Sequence, residues 1–200
     1  ARISLAPQTH PALWRYPHKP SSGSFTEWKK DAEILCMDGI GAPWVTEFLT
    51  GFEQKLAPTQ TLIVDESHRL GIVSTHIKTS AQLIQTSSLS KAFGIPAGII
   101  LGKKADIDSI KKDPFWVGAS PANPAFVHAC LHAQEAYDER INESQTIAAA
   151  FTKNATNVQK VENYPAFSSA DPKLFEHLKS HGFLCNQFAY PDPNAAPICK

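Results

Sequence analysis

The sequence predicts an α/β fold built on a mainly parallel sheet. Two apolar runs, TLIVDESHRLG and LIQTSSLSKAFG, each end in charged or hydroxyl residues between 61 and 94. Short apolar runs bounded by polar turns read as buried strands. An amphipathic stretch then lies between the run EILCMD and the run TLIV. Strand, helix and strand in that order make a crossover unit, which joins parallel strands. Polar residues at the carboxyl ends of such strands are where open α/β sheets bind ligands.

Bulk properties narrow the class. The chain has 200 residues, 19 Lys plus Arg against 19 Asp plus Glu, and 42% hydrophobic residues. A formal charge of zero gives no support for a nucleic-acid partner. No apolar run approaches a membrane span, and the start lacks a signal-peptide pattern. Cys36, Cys130, Cys185 and Cys199 form no CxxC pair. Reduced thiols in a cytoplasmic protein are the resulting expectation.

In chain order, Ile3 and Leu5 fit a short strand, and residues 15–30, rich in Pro and Ser, fit a loop, with a short helix over 26–31. EILCMD, residues 33–38, reads as a strand stopped by Gly39 and Gly41, with Asp38 as a turn residue. Trp44, Val45, Phe48, Leu49, Phe52 and Leu56 share one helical face, so the spacing predicts a helix over 44–56. Strands follow at 61–64, 83–86 and 97–101, then a charged helix at 103–112 and a loop at 115–124. A single long helix is expected from about 125 to 153. It holds His128 and His132 at i, i+4, and His177 and His181 repeat that spacing. Neither pair sits in an HExxH pattern or has an evident third ligand, so no metal site is expected. Residues 157–161, 171–181 and 183–190 read as strand, helix and strand. A Pro after Asp171 and a Gly at 182 mark that helix's start and stop.

VDESHRLG followed by TSSLSKAFG resembles the paired motifs of fold-type-I pyridoxal-phosphate enzymes. The nearest branch is the α-oxoamine synthases, which carry VDEAHxxG-like and TLSKAxG-like motifs in that order. Here Ser67 stands in place of the alanine, and Cys36 where the family often has serine. The resemblance implies a three-layer PLP-dependent transferase-like large domain over 1–153, its long helix included. Part of a small α+β C-terminal domain would follow over 154–200.

It also implies site roles. Lys91 becomes the lysine that forms an internal aldimine with pyridoxal 5'-phosphate and then moves the substrate Cα proton. Asp65 partners the pyridine nitrogen, and His68 and Ser88 contact cofactor oxygens. SLAPQTHPAL loosely matches the family's histidine turn, which makes His10 the residue stacked on the ring. An exposed loop histidine is the equal alternative. Glu66 and Arg69 read most simply as a surface or supporting pair.

The implied reaction is condensation of an amino acid with an acyl-CoA in a cytoplasmic homodimer. An aminotransferase on the same fold is one alternative. A truncated or catalytically silent homologue acting as an interaction domain is the other. The family's Ser-Gly-rich phosphate-binding helix start and its carboxylate-binding arginine have no equivalent in these 200 residues. The chain is therefore expected to be a fragment, one piece of a processed or split enzyme, or a homologue that kept the fold and lost activity.

Overall fold

The computed structural model describes residues 3–5, 32–41, 46–47, 55–72, 76–118, 122–160, 164–165, 167–169, 171–183, 187–188 and 198–199. His10 and the 15–30 segment, with the short helix expected in it, lie outside the described residues, as do residues 191–197.

Five strands form the main sheet, in the order β1 (Ile3–Leu5), β2 (Ile34–Asp38), β5 (Thr61–Asp65), β6 (Gln82–Ser88) and β7 (Gly98–Gly102). The first four are parallel and β7 runs antiparallel to β6. The register aligns Asp38, Asp65 and Thr86 across β2, β5 and β6. All three therefore stand at one sheet edge, the carboxyl ends of parallel strands.

Alternation decides which side chains enter the core. Leu35, Met37, Leu62 and Val64 are fully buried, while Ile34, Cys36 and Ile63 between them are half-buried. With period-2 geometry the first set shares one face. Leu56, Ile77 and Ala81 close over it, and Ala32 and Leu83 pack at its margin. Burying each of the large side chains stabilises the fold by about 1.5–3 kcal/mol.

The 44–56 helix is corrected at Thr46–Glu47. These residues form strand β4, paired antiparallel with β3 (Ile40–Gly41). Gly39 bends the chain directly after β2, and the ladder with Ile40–Gly41 takes residues that lay within a helical apolar pattern. Residues 42–45 and 48–54 lie outside the described residues. Strand β6 runs on through Ser88, two residues beyond expectation, so the hydroxyl cluster belongs to the strand itself.

Helix α1 (Leu89–Phe93) starts at Ser88, whose side chain accepts the Ser90 N–H, and ends at Gly94. Helix α2 (Lys104–Ile110) falls within the expected charged helix. The loop expected at 115–124 instead opens with helix α3 (Pro114–Gly118). Asp113 Oδ1 accepts the Phe115 N–H at 2.8 Å, a side-chain cap ahead of a proline in the first turn.

The single long helix is divided into α4 (Pro124–His132) and α5 (Gln134–Asn154). No Pro or Gly marks the break at Ala133. The turn there brings Tyr137 of α5 against Phe93, with ring centroids 4.7 Å apart. Beyond α5, β8 (Gln159–Lys160) pairs with β9 (Phe167–Ser168). Helix α6 (Pro172–Ser180) is capped by Asp171, and β10 (Gln187–Phe188) pairs with β11 (Ile198–Cys199).

Candidate active site

The site is built where β5 and β6 end. Asp65 is the last residue of β5 and Ser88 the last of β6. The backbone N–H of Ser67 donates to Asp65 Oδ1 at 2.9 Å, an Asx turn that folds the chain sharply back after the strand. The Ser67 hydroxyl then accepts the Ser88 N–H at 2.8 Å. Glu66 N–H donates to the Thr86 carbonyl at 2.6 Å. The last two of these bonds hold the DESH turn and the hydroxyl segment together.

The turn is anchored from below by a buried ion pair. Arg69 Nη1 lies 3.5 Å from Glu66 Oε1, with side chains 3% and 2% exposed. Gln85 Nε2 also donates to Glu66 Oε1, at 3.2 Å. Of the two expected readings, surface or supporting, the pair takes the supporting one: both residues lie buried over Gly39. A Cβ at Gly39 would lie 2.6 Å from Arg69 Cδ. Gly71 closes the turn with φ +75°, a left-handed conformation that favours glycine.

One cavity of about 920 Å³ opens at this sheet edge. Asp65, Ser67, Thr86, Ser87 and Ser88 form a polar wall, and Pro96, Ile99, Ile100, Trp116 and Phe126 an apolar one. That volume lies in the usual range for cofactor and ligand sites. Lys91 and His68 stand beside the cavity rather than in its wall. Lys91 Nζ lies 2.7 Å from His68 Nε2, and His68 Nδ1 lies 3.2 Å from the Tyr164 hydroxyl.

Of the five expected site residues, four gather at the ends of β5 and β6: Asp65, His68, Ser88 and Lys91. His10 lies outside the described residues. Thr86, Ser67 and Tyr164 were missed as site residues. Ser67 could have been found as the departure from the alanine of the resembled motif. Tyr164 has no local signal, since 96 residues separate it from His68. Burial raises the Cys36 thiol above its ordinary range, which suits a structural thiol in β2.

The two histidine pairs expected to bind no metal have ring centroids 4.3 Å apart. No group of three or more His, Cys, Asp or Glu that could hold a metal occurs among the described residues. No helix among them is long and apolar enough to cross a membrane.

No protein-family model matches the chain. The 8-amino-7-oxononanoate synthase of Thermosipho melanesiensis is 33% identical over 116 residues, 53% of this chain and 28% of that protein. The chain spans about a third of the length of the curated relatives it matches. The crystal structure of 8-amino-7-oxononanoate synthase from Francisella tularensis superposes with a TM-score of 0.76 at 17% identity. It covers 99% of this chain and 68% of its own. Histidinol-phosphate aminotransferase from Sinorhizobium meliloti, solved with pyridoxal-5'-phosphate, gives a TM-score of 0.66 at 16% identity. That match covers 100% of this chain and 66% of the aminotransferase. At such identities the two structures establish the fold alone. This chain therefore has the fold-type-I transferase fold and is a sequence relative of the α-oxoamine synthases.

Proposed function

We propose that the protein is a pyridoxal-phosphate-dependent acyltransferase that joins an amino acid to an acyl-CoA, with Lys91 as the cofactor-bearing lysine. One observation carries this reading. A carboxylate, four hydroxyl side chains and a lysine–histidine contact converge on the carboxyl ends of two adjacent parallel strands.

The residues fit the cofactor. Asp65 lies at the cavity wall with one carboxylate oxygen taken by the Ser67 N–H, and it would hold the proton of the pyridine nitrogen. Thr86 and Ser88 would hold cofactor oxygens from the same wall. Lys91, exposed and within hydrogen-bond distance of an imidazole, would supply the amine. When bound, pyridoxal phosphate supplies an aldehyde that captures amines and a ring that spreads developing negative charge.

The remaining chemistry belongs to the chain. Lys91 would act as the general base toward the substrate Cα proton. His68 offers Lys91 a hydrogen-bond partner while its charge changes. Trp116 and Phe126 line the far side of the cavity and would exclude water from an apolar acyl group. We further read residues 1–153 as a large domain, 154–200 as part of a small one, and the assembly as a cytoplasmic homodimer.

An aminotransferase is the second reading, favoured by the fold shared with histidinol-phosphate aminotransferase. A silent interaction domain is the third. The deciding experiment adds pyridoxal 5'-phosphate to purified protein and records absorbance before and after borohydride, with mass mapping and Lys91→Ala as control. A near-visible band that borohydride fixes onto Lys91 supports the cofactor reading. Product analysis with amino acid and acyl-CoA, or with an oxo acid, then separates synthase from aminotransferase. No adduct on Lys91 overturns both enzyme readings.

A further inference from the structure

Two tyrosines from the second half of the chain grip the turn that follows β5. Tyr137 donates its hydroxyl to the Leu70 carbonyl at 3.2 Å. Its ring lies so close over Gly71 that a Cβ there would come within 2.7 Å of it. Tyr164, from the segment between β8 and β9, reaches the same turn at His68 Nδ1, 3.2 Å from its hydroxyl. The two rings meet edge-on, 67° apart in plane.

The opposite ring nitrogen, Nε2, faces Lys91 Nζ at 2.7 Å. A lysine ammonium carries donors and no acceptor. Facing an ammonium, that nitrogen would accept, and the proton of a neutral ring would then sit on Nδ1, the nitrogen within reach of the Tyr164 oxygen. Burial and the neighbouring Tyr137 push the Tyr164 hydroxyl up to about 12, so near neutral pH it is a phenol with an accepting lone pair.

We propose that Tyr164 is a positioning residue for the lysine site: it holds His68 in the Nδ1–H tautomer and so aims the Nε2 lone pair at the Lys91 amine. The consequence for Lys91 rests on the cofactor reading above; the tautomer assignment does not. Without the tyrosine oxygen, Nδ1–H loses this acceptor. The ring then shifts toward the Nε2–H form, which sets a donor against a donor and releases Lys91 from its place at the end of β6.

The test uses purified protein labelled with ¹⁵N-histidine, before any cofactor is added. The His68 resonances are assigned by their loss in His68→Gln. The expected wild-type signal has the proton on Nδ1. In Tyr164→Phe the Nδ1–H to Nε2–H ratio falls by about three- to tenfold, the ratio that one net hydrogen bond sustains. The rate of borohydride-fixed labelling of Lys91 by pyridoxal 5'-phosphate falls with it. A wild-type proton on Nε2, or an unchanged ratio in Tyr164→Phe, overturns the proposal. No Lys91 adduct in wild type, with the tautomer shift present, overturns the cofactor reading and leaves the role of Tyr164 intact. Lys91→Met supplies a second arm should Tyr164→Phe fold poorly. Retention of Nδ1–H there supports Tyr164 as the anchor, and its loss shows that Lys91 alone sets the ring, which overturns it.

Discussion

The Ser67 hydroxyl accepts the backbone N–H of Ser88 at 2.8 Å and so fastens the end of β5 to the end of β6. Ser67 is 8% exposed, so water has little access to this bond. The residue is also where this chain departs from the alanine of the resembled motif. A substitution that looks conservative in sequence therefore adds a cross-strand tie directly ahead of the lysine helix.

Replacing Ser67 by Ala removes the acceptor and leaves the Ser88 N–H without this partner. The expected cost is about 0.5–1.5 kcal/mol, the net worth of one hydrogen bond at a part-buried donor. Urea unfolding measures the loss. Amide exchange at Ser88 should accelerate, and exchange at Leu62, deep in β5, should follow only the global change. Unchanged protection at Ser88 would show that the tie contributes nothing.

A methyl group at Gly39 would lie 2.6 Å from Arg69 Cδ and 2.8 Å from Glu66 Oε2. Both atoms belong to buried, mutually paired side chains, so neither yields cheaply. Gly39→Ala should therefore cost about 1–3 kcal/mol through overpacking. Glu66→Ala should cost more, about 3–5 kcal/mol, because it removes a carboxylate partner from the buried Arg69 guanidinium. Thermal melts of the two variants order these costs, and a reversed order refutes the buried-pair account.

Much of this architecture is legible in the amino acids. Leu35, Met37, Leu62 and Val64 alternate with less apolar or less buried neighbours, and that period-2 pattern survives into the structure because the sheet face is the core. The carboxylate and lysine are legible too, since strand ends are marked by a change from apolar to polar residues. What is lost is whatever depends on distant contacts. Thr46–Glu47 sit within a helical apolar pattern, yet ladder bonds to Ile40–Gly41 prevail. The break at Ala133 has no local cause in its neighbours. Tyr164 meets His68 across 96 residues, a contact that leaves no periodic trace. The Asp113-Pro114 start of α3 is different: its signal is the same as at Asp171-Pro172 and is readable.

Asp65→Asn separates chemistry from folding. An Asn side-chain oxygen still accepts the Ser67 N–H, so the Asx turn persists and stability should change by less than about 1 kcal/mol. The negative charge facing the cavity is lost. Under the proposed function, turnover should fall by at least about a hundredfold, since the ring nitrogen loses the group that keeps it protonated. Comparing the melting temperature with turnover under saturating cofactor checks both halves. Equal losses in the two would make Asp65 structural.

Alkaline stability tests the burial of Tyr164. Its hydroxyl is raised from 10.0 to about 12, first by desolvation and then by Tyr137, whose own ionisation is also raised by burial. Below about pH 10 the folded and unfolded forms both hold the phenolic proton, and the group adds no pH dependence. Between about 10 and 12 the unfolded chain releases the proton while the folded one retains it. The native state then binds more protons, so stability falls as pH rises through that window. Tyr164→Phe removes this contribution and should flatten the loss measured by urea unfolding at stepped pH, although its stability near neutrality is lower. Absorbance titration of the wild type should show tyrosine ionisation extending well above pH 10, and Tyr164→Phe should remove its highest part. If every tyrosine in the folded protein titrates near 10, the Tyr164 hydroxyl is open to water and its hold on His68 is not buried.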